Sequence, residues 1–91
     1  MRLETRPTAT DVRGRLEEFI LEDLLFGDAG RMPDGDESLM ETEVIDSTGV
    51  LELIEFVERE FGIRVEDSET VPENLDGIDR LVAFVQRKAT E

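Results

Sequence analysis

Asp46 and Ser47 are the residues of this chain whose types and position most clearly suggest chemistry. They directly precede an amphipathic stretch, residues 48–61, so the Ser47 hydroxyl stands at the start of a predicted helix. The N–H groups and the dipole of a helix N-terminus favour a negatively charged group such as phosphate. A serine hydroxyl in that position can carry a prosthetic group through a phosphodiester bond. The purely structural interpretation is that the pair serves as a helix N-cap, a common role for Asp and Ser.

Self-contained catalysis is not expected from this composition. The chain has no histidine and no cysteine, which excludes disulfides, thiolate nucleophiles, histidine bases and His/Cys metal sites. Ser47 therefore lacks the base that a serine hydrolase needs. The acids around Gly35 lack the alternation of a calcium-binding loop, and nothing predicts a cleft for paired carboxylates. We expect no catalytic residues, no metal site and no enzyme activity.

Charge restricts the possible partners. The sequence holds 24 acidic and 10 basic residues, a formal net charge of −14. Such a surface disfavours nucleic acid and anionic membranes, because both need positive charge, and it favours partners with basic surfaces. Solubility alone is the structural explanation of the same charge. We expect a monomer.

The chain is long enough for one domain, predicted over residues 10–89 after a flexible tail at 1–9. The first residues lack the apolar core of a secretory signal, and the longest apolar run, 81–85, is too short to cross a bilayer. The expected location is therefore the cytoplasm.

Hydrophobic periodicity predicts three main helices and one short one. The first begins near Thr10 or Asp11 as its cap and ends at Gly27. A long loop over 27–45 follows, with its second half held to the core by four apolar residues. These are Leu39, Met40, Val44 and Ile45.

The second helix is predicted over about 47–61, and Gly62 ends it. Its inward stripe is Val50, Leu53, Ile54, Val57 and Phe61, widened by Leu51 and Phe56.

One helical turn is predicted at 72–75. A last helix over about 77–88 is capped by Asp76, and its inward residues are Ile78, Leu81, Val82 and Val85. The fold class is therefore all-α, an antiparallel four-helix bundle of three main helices plus one short helix, with a long first loop.

The Asp46-Ser47 pair in this setting resembles the acyl carrier protein family, whose members are also called peptidyl or thiolation domains. The phrase Glu58-Arg59-Glu60-Phe61-Gly62-Ile63-Arg64-Val65 is also similar to the end of the family's second helix. The resemblance covers about residues 10–88. It implies a four-helix bundle with 4′-phosphopantetheine attached covalently to Ser47, and a supporting role for Asp46.

The resemblance also implies partners. A phosphopantetheinyl transferase would donate the arm from coenzyme A, using magnesium. The thiol of the arm would then carry an acyl or aminoacyl group as a thioester, loaded by an activating ligase and passed to downstream transferases with basic docking surfaces. The implied partner-binding residues are Thr48, Glu52, Glu55, Glu58, Glu41 and Glu43. An acyl pocket would be lined by Val57, Phe61, Leu81 and Val85, which are otherwise ordinary core residues.

Two positions depart from the family's usual pattern. Ile45 stands where the family usually has glycine, and Thr48 stands where it usually has leucine or isoleucine. This favours a specialised carrier that serves one dedicated pathway over the general carrier of fatty-acid synthesis. We further expect that Gly49 permits close approach by a partner or by the arm.

A different class of function explains much of the same sequence. A small acidic interaction module without a cofactor would also be a helical bundle with a negative surface. In that alternative, Ser47 is only part of a helix cap, and its replacement by alanine costs at most that cap, about 1 kcal/mol.

Overall fold

The computed structural model describes residues 8–89, in which all regular secondary structure is helical. The four α-helices of this part of the chain are α1 (Ala9–Phe19), α2 (Ser47–Phe61), α3 (Pro72–Leu75) and α4 (Ile78–Ala89). The predicted all-α class is therefore confirmed. Residues 1–7 of the predicted tail lie outside the described residues.

α1 begins earlier than predicted. The side chain of Thr8 caps it by accepting a hydrogen bond of 3.1 Å from the Asp11 N–H, so Thr10 and Asp11 lie within the helix. The helix widens into a π-helical turn at Ile20–Leu24. It ends where the N–H of Gly27 donates to the Leu21 carbonyl at 2.7 Å, which confirms the predicted stop.

α2 has the predicted bounds. Gly62 ends it with φ of +66°, a left-handed conformation that glycine adopts without steric cost, and its N–H donates to the Glu58 carbonyl. Leu53, Phe56 and Val57 face the core. Leu51 was wrongly assigned to the inward stripe, because its side chain is 63% exposed.

The core lies between α1, α2 and α4. α4 packs against each of the other helices, and Phe19 of α1 stacks on Phe56 of α2 with ring centroids 4.3 Å apart. The predicted inward residues of α4 are all buried, and Phe84, absent from that prediction, is fully buried as well.

The segment before α2 is fastened to the junction of α3 and α4. Leu39, Val44 and Ile45 are buried as predicted, whereas Met40 is 46% exposed. The carboxylate of Asp76 accepts hydrogen bonds from the Ser38 hydroxyl and, at 2.9 Å, from the Met40 N–H. Asp76 was therefore wrongly predicted to cap α4, since its carboxylate accepts hydrogen bonds from this loop instead.

A second set of polar contacts joins the segment before α3 to the end of α4. These contacts lead to a prediction about pH dependence. The Glu69 carboxylate accepts a hydrogen bond from the Glu66 N–H and pairs with Lys88 at 2.9 Å. The Glu66 N–H first, and then Lys88, lower the pKa of Glu69 below its ordinary value. Ionised Glu69 therefore stabilises the folded protein through these two contacts at any pH above its ordinary pKa. That stabilisation is lost as the pH falls through the lower pKa of the folded state.

In Lys88→Met we expect the pKa of Glu69 to rise towards its ordinary value but to stay below it, because the Glu66 N–H remains. Titration of the Glu69 carboxyl by NMR measures this in both proteins. An unchanged pKa in the variant would contradict a role for Lys88.

None of the helices in residues 8–89 combines the length and the apolar character needed to cross a membrane.

Candidate functional site

Ser47 is the first residue of α2 and is exposed to solvent. The cap is Asp46, whose backbone is extended and whose carboxylate accepts a hydrogen bond of 2.8 Å from the Gly49 N–H. The first intrahelical bond runs from the Val50 N–H to the Asp46 carbonyl, so the N–H groups of Ser47 and Thr48 precede the helical ladder. Within residues 8–89 the Ser47 hydroxyl has no hydrogen-bond partner, and it is therefore available for reaction.

Gly49 is buried because of a neighbour in its own chain. A Cβ at this position would lie 2.7 Å from Cγ1 of Ile45, closer than carbon atoms approach. Ile45 is itself 6% exposed and covers the first turn of α2. Ile45 thus fills the position that a Cβ of residue 49 would take, which by itself requires glycine here. The predicted close approach of a partner or of the arm stays a prediction. The two positions form one packing unit at the base of the Ser47 site.

This packing predicts that Gly49→Ala lowers the stability of the protein, the opposite of the usual effect of replacing glycine by alanine in a helix. Alanine would normally stabilise a helix by up to about 1 kcal/mol over glycine, but the clash with Ile45 should make the variant less stable by about 1–2 kcal/mol. In an Ile45→Ala background the clash is gone, and the same change should stabilise. Urea unfolding of wild type, both single variants and the double variant measures this coupling. If the changes in unfolding free energy of the two single variants simply add in the double variant, the alanine at position 49 and the Ile45 side chain do not compete for space.

The large exposed apolar side chains of residues 8–89 gather around this end of α2. They are Phe26 (87% exposed), Leu51 (63%), Met40 (46%) and Val71 (36%). Leu51 lies one turn after Ser47 on the same exposed helix face. Phe26 lines a cleft together with Asp46 and Thr48, and Met40 and Val71 line a cavity on the other side of the helix start.

That cavity has a volume of about 190 Å³ and walls that are nearly all apolar. The one carboxylate beside it, Asp76, is held by Ser38 and Met40. A site of this size holds a group about as large as benzene, which fits an engineered cavity of about 150 Å³ in another protein. The lining residues are Met40, Ile45, Val50, Thr70, Val71, Pro72, Leu75 and Asp76.

The residues predicted to line an acyl pocket lie elsewhere. Val57, Leu81 and Val85 are fully buried, and Phe61 is half-buried against the core and makes an edge-on contact with Phe56. The apolar cavity near the start of α2 is thus formed by a different set of residues. Sequence reasoning missed it because its walls come from the loop before α2 and from α3, segments without strong periodicity.

The predicted partner-binding residues divide into three groups. Thr48, Glu52 and Glu55 are exposed on α2. Glu41 and Glu43 are exposed in the preceding loop. The remaining one, Glu58, is half-buried and accepts a hydrogen bond of 2.9 Å from the Val65 N–H, so it holds the segment after α2 in place.

Phe26 is the site residue that the sequence analysis missed. It sits in the apolar run Leu24-Leu25-Phe26 just before Gly27, where a turn rather than the helix decides which side chains face outward.

The acids of this region do not form a metal centre. Within residues 8–89 there is no group of three or more carboxylates arranged to hold a metal ion.

No protein-family model matches this chain, and no curated protein shows significant similarity to it.

Proposed function

We propose that this chain is a carrier protein that bears 4′-phosphopantetheine on Ser47 and presents acyl or aminoacyl groups to partner enzymes as thioesters. The observation that carries the proposal is the Ser47 hydroxyl itself. It is exposed, it has no hydrogen-bond partner among residues 8–89, and it is the first residue of α2, whose neighbours Asp46 and Thr48 line a cleft with the exposed Phe26. The sequence resemblance to acyl carrier proteins points to the same residue.

The residues at the start of α2 suit the prosthetic group. Its phosphate would lie at the N–H groups of Ser47 and Thr48, where the helix dipole favours an anion. The apolar cavity of Met40, Val50 and Val71 lies beside this point and suits the apolar part of an arm or a small cargo. When bound, the group supplies the thiol that this chain lacks.

Attachment needs an enzyme. The new bond joins Ser47 Oγ to the phosphorus that bears pantetheine, and the bond from that phosphorus to the nucleotide half of coenzyme A breaks. The hydroxyl proton must pass to a base, and the chain offers no histidine to take it. A phosphopantetheinyl transferase with magnesium supplies both the base and the metal in this proposal.

The finer architecture belongs to the same proposal. An antiparallel four-helix bundle of three main helices and the short α3 is supported by the packing of α4 against α1, α2 and α3. In this arrangement Ser47, the first residue of α2, would lie at one end of the bundle.

A cofactor-free acidic interaction module is the second candidate. The exposed side chains of Phe26 and Leu51, set among carboxylates, favour a protein-binding surface whether or not Ser47 is modified. The two candidates differ in what they require of Ser47, because only the carrier needs its hydroxyl.

Intact mass spectrometry separates them. The protein is incubated with coenzyme A, magnesium and a broad-specificity phosphopantetheinyl transferase, beside an established carrier as a positive control. We expect a mass gain of one phosphopantetheinyl unit. No gain in the folded protein, with the positive control modified, would reject the carrier function and favour the interaction module.

A further inference from the structure

Phe26 is held in an unusual place. Its φ is +54°, in the left-handed region that bulky residues rarely adopt, and its ring is 87% exposed. The neighbouring Leu25 is buried, and the Gly27 N–H is bonded to the Leu21 carbonyl, so the turn is fixed on both sides. The fold itself gains little from this ring. Unfavourable backbone geometry that the surroundings maintain is a recognised mark of functional sites.

The Phe26 ring shares a cleft with the two residues that flank Ser47. This cleft has a volume of about 310 Å³, and its lining includes Asp46 and Thr48, the residues on either side of the serine, together with Gly49. An enzyme whose active site reaches the Ser47 hydroxyl therefore has to cover this cleft. Phe26 is the most exposed of the large apolar side chains in residues 8–89.

The charge of the cleft selects the kind of partner. Its lining includes the carboxylates of Asp23, Glu43, Asp46 and Glu52 and contains no lysine or arginine. Like charges oppose a second copy of this surface, and they oppose an anionic membrane as well. The complementary surface is a protein with an apolar pocket for the ring and a rim of lysine and arginine.

We propose that Phe26 is the docking anchor for the enzyme that modifies Ser47, and that Asp23 and Glu52 pair with basic residues of that enzyme. This inference rests on the proposed carrier function. It assigns recognition to a turn after α1, in addition to the exposed face of α2. The ring would enter a pocket of the transferase while Ser47 enters its active site.

Steady-state kinetics of a broad-specificity phosphopantetheinyl transferase test this with the chain as the varied substrate. We expect Phe26→Ala to raise KM about tenfold with kcat nearly unchanged, the signature of lost binding energy. Phe26→Gly, which removes the ring and relieves the backbone, should behave alike and guards against a folding defect. Asp23→Asn and Glu52→Gln should each raise KM about two- to fivefold and weaken its dependence on salt. Glu18→Gln, an exposed acid outside the cleft, is the charge-matched control and should match wild type.

Binding without reaction gives a second readout. In a Ser47→Ala background, calorimetry with the same transferase should show about tenfold weaker binding when Phe26 is also replaced by alanine.

Unchanged KM and affinity in the Phe26 variants, with wild type modified normally, would overturn the docking role and leave the carrier function standing. An equal effect of Glu18→Gln and Glu52→Gln would overturn the assigned acid pairs, since it would reflect net charge alone. Loss of a wild-type dimer in the Phe26 variants, seen by sedimentation velocity, would show a self-association surface instead. A wild-type chain that is never modified would overturn the proposed function and this inference together.

Discussion

Ser47→Ala is expected to abolish phosphopantetheinylation while leaving the free energy of unfolding within about 0.5 kcal/mol of wild type. The loss is complete because the hydroxyl oxygen is the atom that bonds to phosphorus. The stability is kept because the Ser47 side chain is exposed and has no hydrogen-bond partner in residues 8–89. Asp46, and not Ser47, caps the helix. Intact mass after the transferase reaction and urea unfolding measure the two effects.

Two variants make this prediction specific. Ser68→Ala removes another exposed serine and should be modified like wild type. Asp46→Ala removes the hydrogen bond to the Gly49 N–H and should cost about 1 kcal/mol of stability, a loss that Ser47→Ala does not share. A mass gain that persists in Ser47→Ala would show that another residue carries the group. A stability loss in Ser47→Ala as large as that in Asp46→Ala would contradict the assignment of the cap.

Phe84→Ala is expected to have the largest effect on stability, a loss of about 3–5 kcal/mol. Phe84 belongs to α4 and its ring is fully buried. The Arg87 guanidinium lies over the ring at 5.3 Å from the ring centre. Removal of the ring leaves a cavity that the surrounding helices can only partly close. For a domain whose total stability is of the order of 5–15 kcal/mol, this is a large fraction.

Leu51→Ala is the matched control, since it shortens a large apolar side chain that is exposed. The sequence pattern placed Leu51 in the core and left Phe84 out, whereas the structure exposes the first and buries the second. We expect Leu51→Ala to cost less than about 0.5 kcal/mol. Urea unfolding with unchanged m-values gives both numbers. A larger loss for Leu51→Ala than for Phe84→Ala would contradict the packing described above.

Local signals in the sequence predicted α2 well. Its start follows from an Asp-Ser pair and its end from a glycine, and both depend on hydrogen bonds made within a few residues. The same holds for the single turn Pro72–Leu75 and for the stop at Gly27. Local signals gave the wrong capping residue where another residue or another hydrogen-bond partner was available. Thr8 took the role predicted for Thr10 or Asp11, and Asp76 was drawn to the loop at Ser38 and Met40.

The sequence by itself determined the all-α class, the bounds of α2 and the position of Ser47 at its start, because helix periodicity and capping act over one or two turns. Only the tertiary structure decided what surrounds that serine. Whether Phe26 and Leu51 face solvent, and which residues wall the apolar cavity, depends on contacts between segments far apart in the chain. Periodicity carries no information about such contacts, since it describes one helix at a time and the core is formed only when several helices meet.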